Sequence, residues 1–152
     1  SNSNVTNSKG YELLSTLINS DKTNTICIGN SISEGNGCIG YSSDIIFYDG
    51  NYYGLVQDGP MNSLINFDPN NWNGGQDDNG SSYRPPFIGL AHEMGHSEAF
   101  NNGTQTNEKY IFIPGTTPNR ERNSIKRENE IRNEHKLTPR SNYYYKPNQP
   151  TE

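Results

Sequence analysis

His92-Glu93-Met94-Gly95-His96 is the stretch on which the reading of this chain turns. On a helix, two histidines four apart fall on one face, a single turn from each other. Two neutral imidazoles so placed can hold one Zn²⁺. Glu93, directly after the first of them, stands where a general base is needed to take a proton from water, whose pKa such an ion lowers to about 7. The chain has 3 histidines, and two of them lie here. The structural alternative is a buried helix whose histidines are hydrogen-bonded core residues, so the flanking sequence has to decide.

Before the motif stands Arg84-Pro85-Pro86-Phe87-Ile88-Gly89-Leu90-Ala91. Proline is tolerated in a first helical turn and closes the preceding loop. Phe87, Ile88 and Ala91, then Leu90, Met94 and Ala99, keep a helical spacing of apolar residues, which predicts a largely buried helix. Two histidines and a glutamate on such a helix need partners, and a metal supplies them. Gly95 costs a helix about 1 kcal/mol relative to alanine, tolerable where another backbone must come close. Asn101-Asn102-Gly103 reads as the end of the helix. A catalytic zinc takes three protein ligands and keeps a fourth position open. The extended motif that supplies a third histidine ten residues after the first fails, with Asn102 in that place and Ala99 where it requires glycine. The third ligand must come from farther along the chain, and a carboxylate on a second helix is expected.

Pro118 opens such a helix, expected to run to Lys136 or Leu137. Stepped at 100° per residue, Glu121, Ile125, Glu128, Ile131, Arg132 and His135 share one stripe, while Glu130 and Glu134 point elsewhere. A carboxylate among isoleucines is costly unless paired with a cation. For Glu128 that cation is either zinc or Arg132, four residues on. Zinc is the preferred partner, with Glu121 as reserve ligand and His135 as a weaker one. In the tail, Tyr143-Tyr144-Tyr145 offers phenols able to donate to a developing oxyanion; packing is the ordinary role of such a cluster.

The 152 residues suit one domain. Only 29% are apolar and 19% charged, and the mean hydropathy is -0.97, so a small core and much polar loop are expected. A net charge of -5 argues against a nucleic-acid partner. No apolar run is long enough to span a membrane, and no signal peptide is recognisable. The Ser- and Asn-rich start suggests a domain cut from a longer protein. Cys27 and Cys38 fit neither a C-x-x-C nor a zinc-knuckle spacing; two free thiols are expected, with a single disulfide as the alternative. A short amphipathic helix is predicted over 10–17, with Leu13, Leu14, Leu17 and Ile18 as its stripe. Strands are predicted over 25–29, 44–48 and 52–57, the last two joined at Asp49-Gly50-Asn51. A sheet edge here can hold an extended peptide by strand addition. Residues 68–83 lack the spacing of a calcium loop and read as a long solvated loop beside the active-site helix, with Trp72 either anchoring it or lining a groove.

Arg84-Pro85-Pro86-Phe87, Leu90-Ala91-His92-Glu93-Met94-Gly95-His96, Glu128-Asn129-Glu130-Ile131-Arg132-Asn133-Glu134 and Leu137-Thr138-Pro139-Arg140 together resemble the NleD-like zinc metallopeptidases, as does the opening Lys9-Gly10-Tyr11-Glu12-Leu13-Leu14. That family includes secreted bacterial effectors and the C-terminal toxin domains of polymorphic, Rhs-type proteins. The resemblance implies an α+β, zincin-like fold, a small mixed or antiparallel sheet packed on the motif helix and on a second ligand-bearing helix. It implies a gluzincin-like Zn²⁺ site with His92 and His96 as ligands, Glu93 as base and a downstream glutamate, best matched by Glu128. The expected activity is endopeptidase cleavage of a target-cell protein by a monomer that is secreted or delivered into that cell, with a cognate immunity or inhibitor protein. The alternative is a degenerate zincin that keeps zinc for structure and binds a protein. Met94 replaces the leucine more usual in the family, and the loop before Arg84 is rich in asparagine.

Overall fold

The computed structural model describes residues 8–29, 35–48, 51–54, 58–109 and 111–147. Helix α1 spans Lys9–Ile18, and the Ser8 hydroxyl caps it by accepting from the Tyr11 amide at 3.2 Å. Of its apolar stripe, Leu13 and Leu17 are buried while Leu14 and Ile18 face solvent. Strands β1 (Asn24–Ile28), β2 (Gly37–Tyr41) and β5 (Asn62–Phe67) form one sheet in the order β1-β5-β2. β5 is parallel to β1 and antiparallel to β2, so the sheet is mixed. β3 (Ile45–Tyr48) and β4 (Asn51–Gly54) form a separate antiparallel hairpin. Asp49 and Gly50 of the expected turn, and residues 55–57 of the expected strand, lie outside the described residues.

The central strand β5 and its neighbour β2 escape the sequence reading. β5 reads Asn-Ser-Leu-Ile-Asn-Phe and shows no alternation, because Ser63, Leu64, Ile65 and Asn66 are all buried. A central strand covered on both faces loses its period of two. Its polar residues are matched locally: the Ser63 hydroxyl donates to Asn24 Oδ1 at 2.7 Å and can accept from the Ser97 hydroxyl, 2.8 Å away. Asn66 Nδ2 donates to the Gly35 carbonyl at 3.2 Å. The register also keeps the cysteines apart. Cys27 on β1 pairs with Asn66, Cys38 on β2 pairs with Ile65, and β5 lies between them. Two strand spacings are roughly 9–10 Å, beyond the roughly 7 Å that a disulfide bridges, and both thiols are free.

Helix α2 runs Pro86–Asn101 and starts, as expected, on the proline pair. It is buried on nearly every side. Ile88, Ala91 and Met94 join Leu13, Leu17, Ile65 and Ile131 in the core, while His92, Glu93 and His96 line a polar cleft on the other side. It closes at Asn102, whose amide donates to the Glu98 carbonyl at 3.0 Å, and Gly103 follows at φ +68°. The second long helix is shorter than the spacing predicts. A 3-10 turn over Asn119–Glu121 leads into α3, Arg122–Glu134.

α2 and α3 cross at Gly95. A Cβ there would lie 2.6 Å from Ser124 Cα and 3.2 Å from Ser124 N. Asn123 Nδ2 donates to the Gly95 carbonyl at 2.7 Å and to Glu98 Oε2 at 2.9 Å, and Arg127 Nε donates to Glu98 Oε2 at 2.9 Å. The glycine therefore admits the start of α3, and the polar contacts hold it there. Gly95→Ala gains about 1 kcal/mol of helix propensity but forces backbone atoms apart at a cost of about 1–3 kcal/mol. Urea unfolding should show lower stability for Gly95→Ala than for the parent, the reverse of what an exposed helical glycine would give.

Candidate metal centre

His92 and His96 project from successive turns of α2, their rings 5.1 Å apart and nearly perpendicular at 76°. Both Nε2 atoms meet one oxygen: Glu121 Oε2 lies 3.2 Å from His92 Nε2 and 3.1 Å from His96 Nε2. All three residues are buried. One ligand atom from each lies within 4.8 Å of the others. Ligand atoms at about 2.0–2.1 Å from a tetrahedral ion stand roughly 3.3 Å apart, so the spacing and the N, N, O donor set fit a divalent ion of zinc type.

Glu121, the last residue of the 3-10 turn, is brought here by the crossing at Gly95. Glu128, the ligand expected from the sequence, is not. It is fully buried one step farther from the cleft and meets His92 on its other nitrogen, Nδ1 to Oε2 at 2.9 Å. Its Oε1 accepts from Arg132 Nε at 2.8 Å, and Arg140 Nη1 lies 3.6 Å from Oε2. Both oxygens are thus engaged, facing away from the Nε2 pair. The predicted stripe is real, since Glu121, Ile125, Glu128, Ile131 and Arg132 are all buried. Position along the stripe decides which carboxylate reaches the Nε2 pair: seven residues of α-helix rise about 10 Å. His135 is exposed and tilts against Phe87, centroids 4.7 Å apart, away from the cluster.

Both imidazoles are oriented from behind. His92 Nδ1–H donates to Glu128, which leaves Nε2 for the cluster. His96 Nδ1 lies 3.4 Å from Gln105 Oε1, and Gln105 Nε2 donates to the Arg120 carbonyl at 3.3 Å. Gln105 is a support that the spacing of the motif does not reveal. The charges agree with this order. Burial alone would lower the His92 pKa, but hydrogen bonds to Glu121 and Glu128 overcome it and raise it to about 9. Burial likewise opposes ionisation of Glu128, yet His92, Arg140 and Arg132 hold it down to about 2. Burial and neighbouring arginines lower the Arg84 pKa; its Nη2 donates to the Asn73 carbonyl at 3.2 Å.

The cleft in front of the cluster encloses about 210 Å³ and is lined by Glu93, Asn36, Gly37, Gln105 and Tyr143 among others. Glu93 is buried in its wall. Of the three tail tyrosines it is Tyr143 that lines it, with its ring centroid 6.2 Å from that of His92. Arg140 holds this residue doubly: Nη2 donates to the Tyr143 carbonyl at 2.9 Å, and its guanidinium lies 4.6 Å from the ring centroid. Cys38 also borders the cleft, its sulfur 3.4 Å from the Ser97 hydroxyl and its pKa pushed up by burial. Trp72, half exposed, stacks on Tyr83 at 5.9 Å and anchors its own loop.

No curated protein and no solved structure matches the chain. A family model does: Peptidase M91, described as effector protein, matches residues 4–125, a span that holds His92, Glu93, His96 and Glu121. With a buried His-His-Glu cluster able to take a metal ion and a match over most of its length, the chain belongs to the NleD-like Peptidase M91 family of effector proteins.

Proposed function

We propose that the protein is a zinc-dependent endopeptidase acting as an effector on a protein of a target cell. The observation that carries this reading is the convergence of His92 Nε2, His96 Nε2 and Glu121 Oε2 beside Glu93 in one cleft. His92, His96 and Glu121 would hold the ion, with Glu128 supporting His92 in place of serving as ligand. When bound, zinc supplies Lewis acidity toward the scissile carbonyl and lowers the pKa of water. Glu93 takes the proton of the attacking water and returns it to the departing amine. Tyr143 would donate a hydrogen bond to the carbonyl oxygen as negative charge develops there, keeping its proton. β2 is an edge of the three-stranded sheet, and its Gly37 and Cys38 line the cleft. An extended substrate added along β2 would present its backbone to Glu93. Among the described residues no helix is long and apolar enough to cross a membrane. The resemblance adds a cognate inhibitor protein, which would act by covering this cleft.

Three expectations follow from the division of roles. Glu93→Gln should bind zinc with parent affinity and cleave an unfolded protein such as reduced casein at least about 10³-fold more slowly; cleavage at the parent rate would remove Glu93 from the mechanism. Glu121→Gln should lower zinc affinity far more than Glu128→Gln, whose loss should stay within the roughly 10–100-fold typical of a partner behind a ligand; competition with a chromophoric chelator ranks the two. The third concerns pH. The raised pKa of His92 contributes stability to the metal-free protein below about 6.5 that is lost as pH rises through about 9. Zinc needs the same nitrogen unprotonated. Chemical unfolding should therefore find the metal-free protein less stable at pH 9 than at pH 6.5, and zinc should stabilise it by a larger margin at the higher pH.

A further inference from the structure

Ile111, Phe112 and Ile113 are consecutive, apolar and exposed, at 67%, 69% and 52%. They lie on the connection between α2 and the Glu121 turn. Scattered exposed apolar residues need no explanation, but an exposed run of three does. This run is not on a loose tip. The Gly115 amide donates to the Tyr144 carbonyl at 2.8 Å, the Tyr144 amide to the Thr116 carbonyl at 3.0 Å, and the Tyr143 amide to Thr117 Oγ1 at 2.9 Å. The segment is laced to the tail that also carries the cleft tyrosine. Rings continue the connection: Phe112 meets Tyr144 edge-on at 4.9 Å, Tyr144 meets Tyr143 at 5.1 Å, and Tyr143 stands 6.2 Å from His92. An unbroken aromatic path thus leads from the exposed run to the metal cluster. The cleft itself is walled mainly by Asn, Gln, Glu, His and Arg side chains, which offer little to an apolar side chain.

We infer that Ile111-Phe112-Ile113 is the substrate-selecting surface of the cleft, and that it takes a bulky apolar residue of an extended polypeptide a few positions from the scissile bond. This rests on the peptidase reading for the meaning of the cleft but predicts a binding event that does not depend on cleavage. The occupant is a polypeptide because the ring contacts of Phe112, Tyr144 and Tyr143 join the run to the wall of the cleft.

The test uses the whole chain, zinc-loaded, as Glu93→Gln and as Glu93→Gln carrying Ile111→Ser, Phe112→Ser and Ile113→Ser together. The probes are two short fluorescein-labelled peptides that differ only in having Leu-Phe or Ser-Ser at the centre. Fluorescence anisotropy should show the Leu-Phe peptide bound at least about tenfold more tightly by the first protein, and the difference lost in the second. Zinc stoichiometry and the thermal midpoint should be unchanged, since the three side chains are exposed. In parallel, the protein with Glu93 intact is given a peptide mixture and its cut sites are read by mass spectrometry. An apolar preference at one subsite, abolished by the triple substitution, is the expected profile. Apolar-selective binding without any cutting would sink the peptidase reading and keep only the binding half of this inference, a surface that takes an apolar residue of a polypeptide. Equal binding of both peptides overturns it. So does finding that the triple substitution instead abolishes binding to phosphatidylcholine vesicles or converts a dimer to a monomer.

Discussion

The missing side chain at Gly95 sets the distance between α2 and the start of α3, and the centre depends on that distance. With Ser124 Cα only 2.6 Å from where a Cβ would stand, the 3-10 turn ahead of α3 drops Glu121 directly beneath the two histidines. A bulkier residue would lift the turn away, and the carboxylate with it. The glycine thus shapes the candidate metal centre without touching it.

Below that crossing the protein keeps His92, Glu128 and Arg132 away from water, and each has a partner able to carry the opposite charge. His92 has a carboxylate on either nitrogen. Glu128 stands among His92, Arg132 and Arg140, and Arg140 in turn holds Tyr143. The same buried carboxylate therefore orients an imidazole of the cluster and, through one guanidinium, a phenol at the cleft mouth. Its removal would strand two arginines, which is why its effect reaches beyond a single histidine. A network of this kind fixes one arrangement of its members more than it adds net stability.

Much of this was legible from residues alone. The motif helix was readable from its proline pair, its apolar spacing and its terminal Asn-Gly, all of which act locally. The face of α3 was readable too, because periodicity reports direction around an axis. Height along that axis is not periodic, so the spacing that favoured Glu128, with Glu121 in reserve, could not tell which of them lies level with the histidines. Gly95 held the missing clue, since a glycine between the histidines marks where the second backbone passes. The central strand was the larger omission. Ser63 and Asn66 are buried by partners on β1, α2 and the segment before β2, and no local pattern announces partners so far apart in the chain. Gln105, nine residues after His96, escaped notice because it lies past the end of α2, where helical spacing no longer applies.

The placement of the two cysteines on strands flanking β5 has its own consequence. Because β5 keeps them two strand spacings apart, this pair offers glutathione no disulfide between them to break and an oxidant none to make. No cross-link between these two residues therefore separates the chain in oxidising surroundings from the chain in the cytosol.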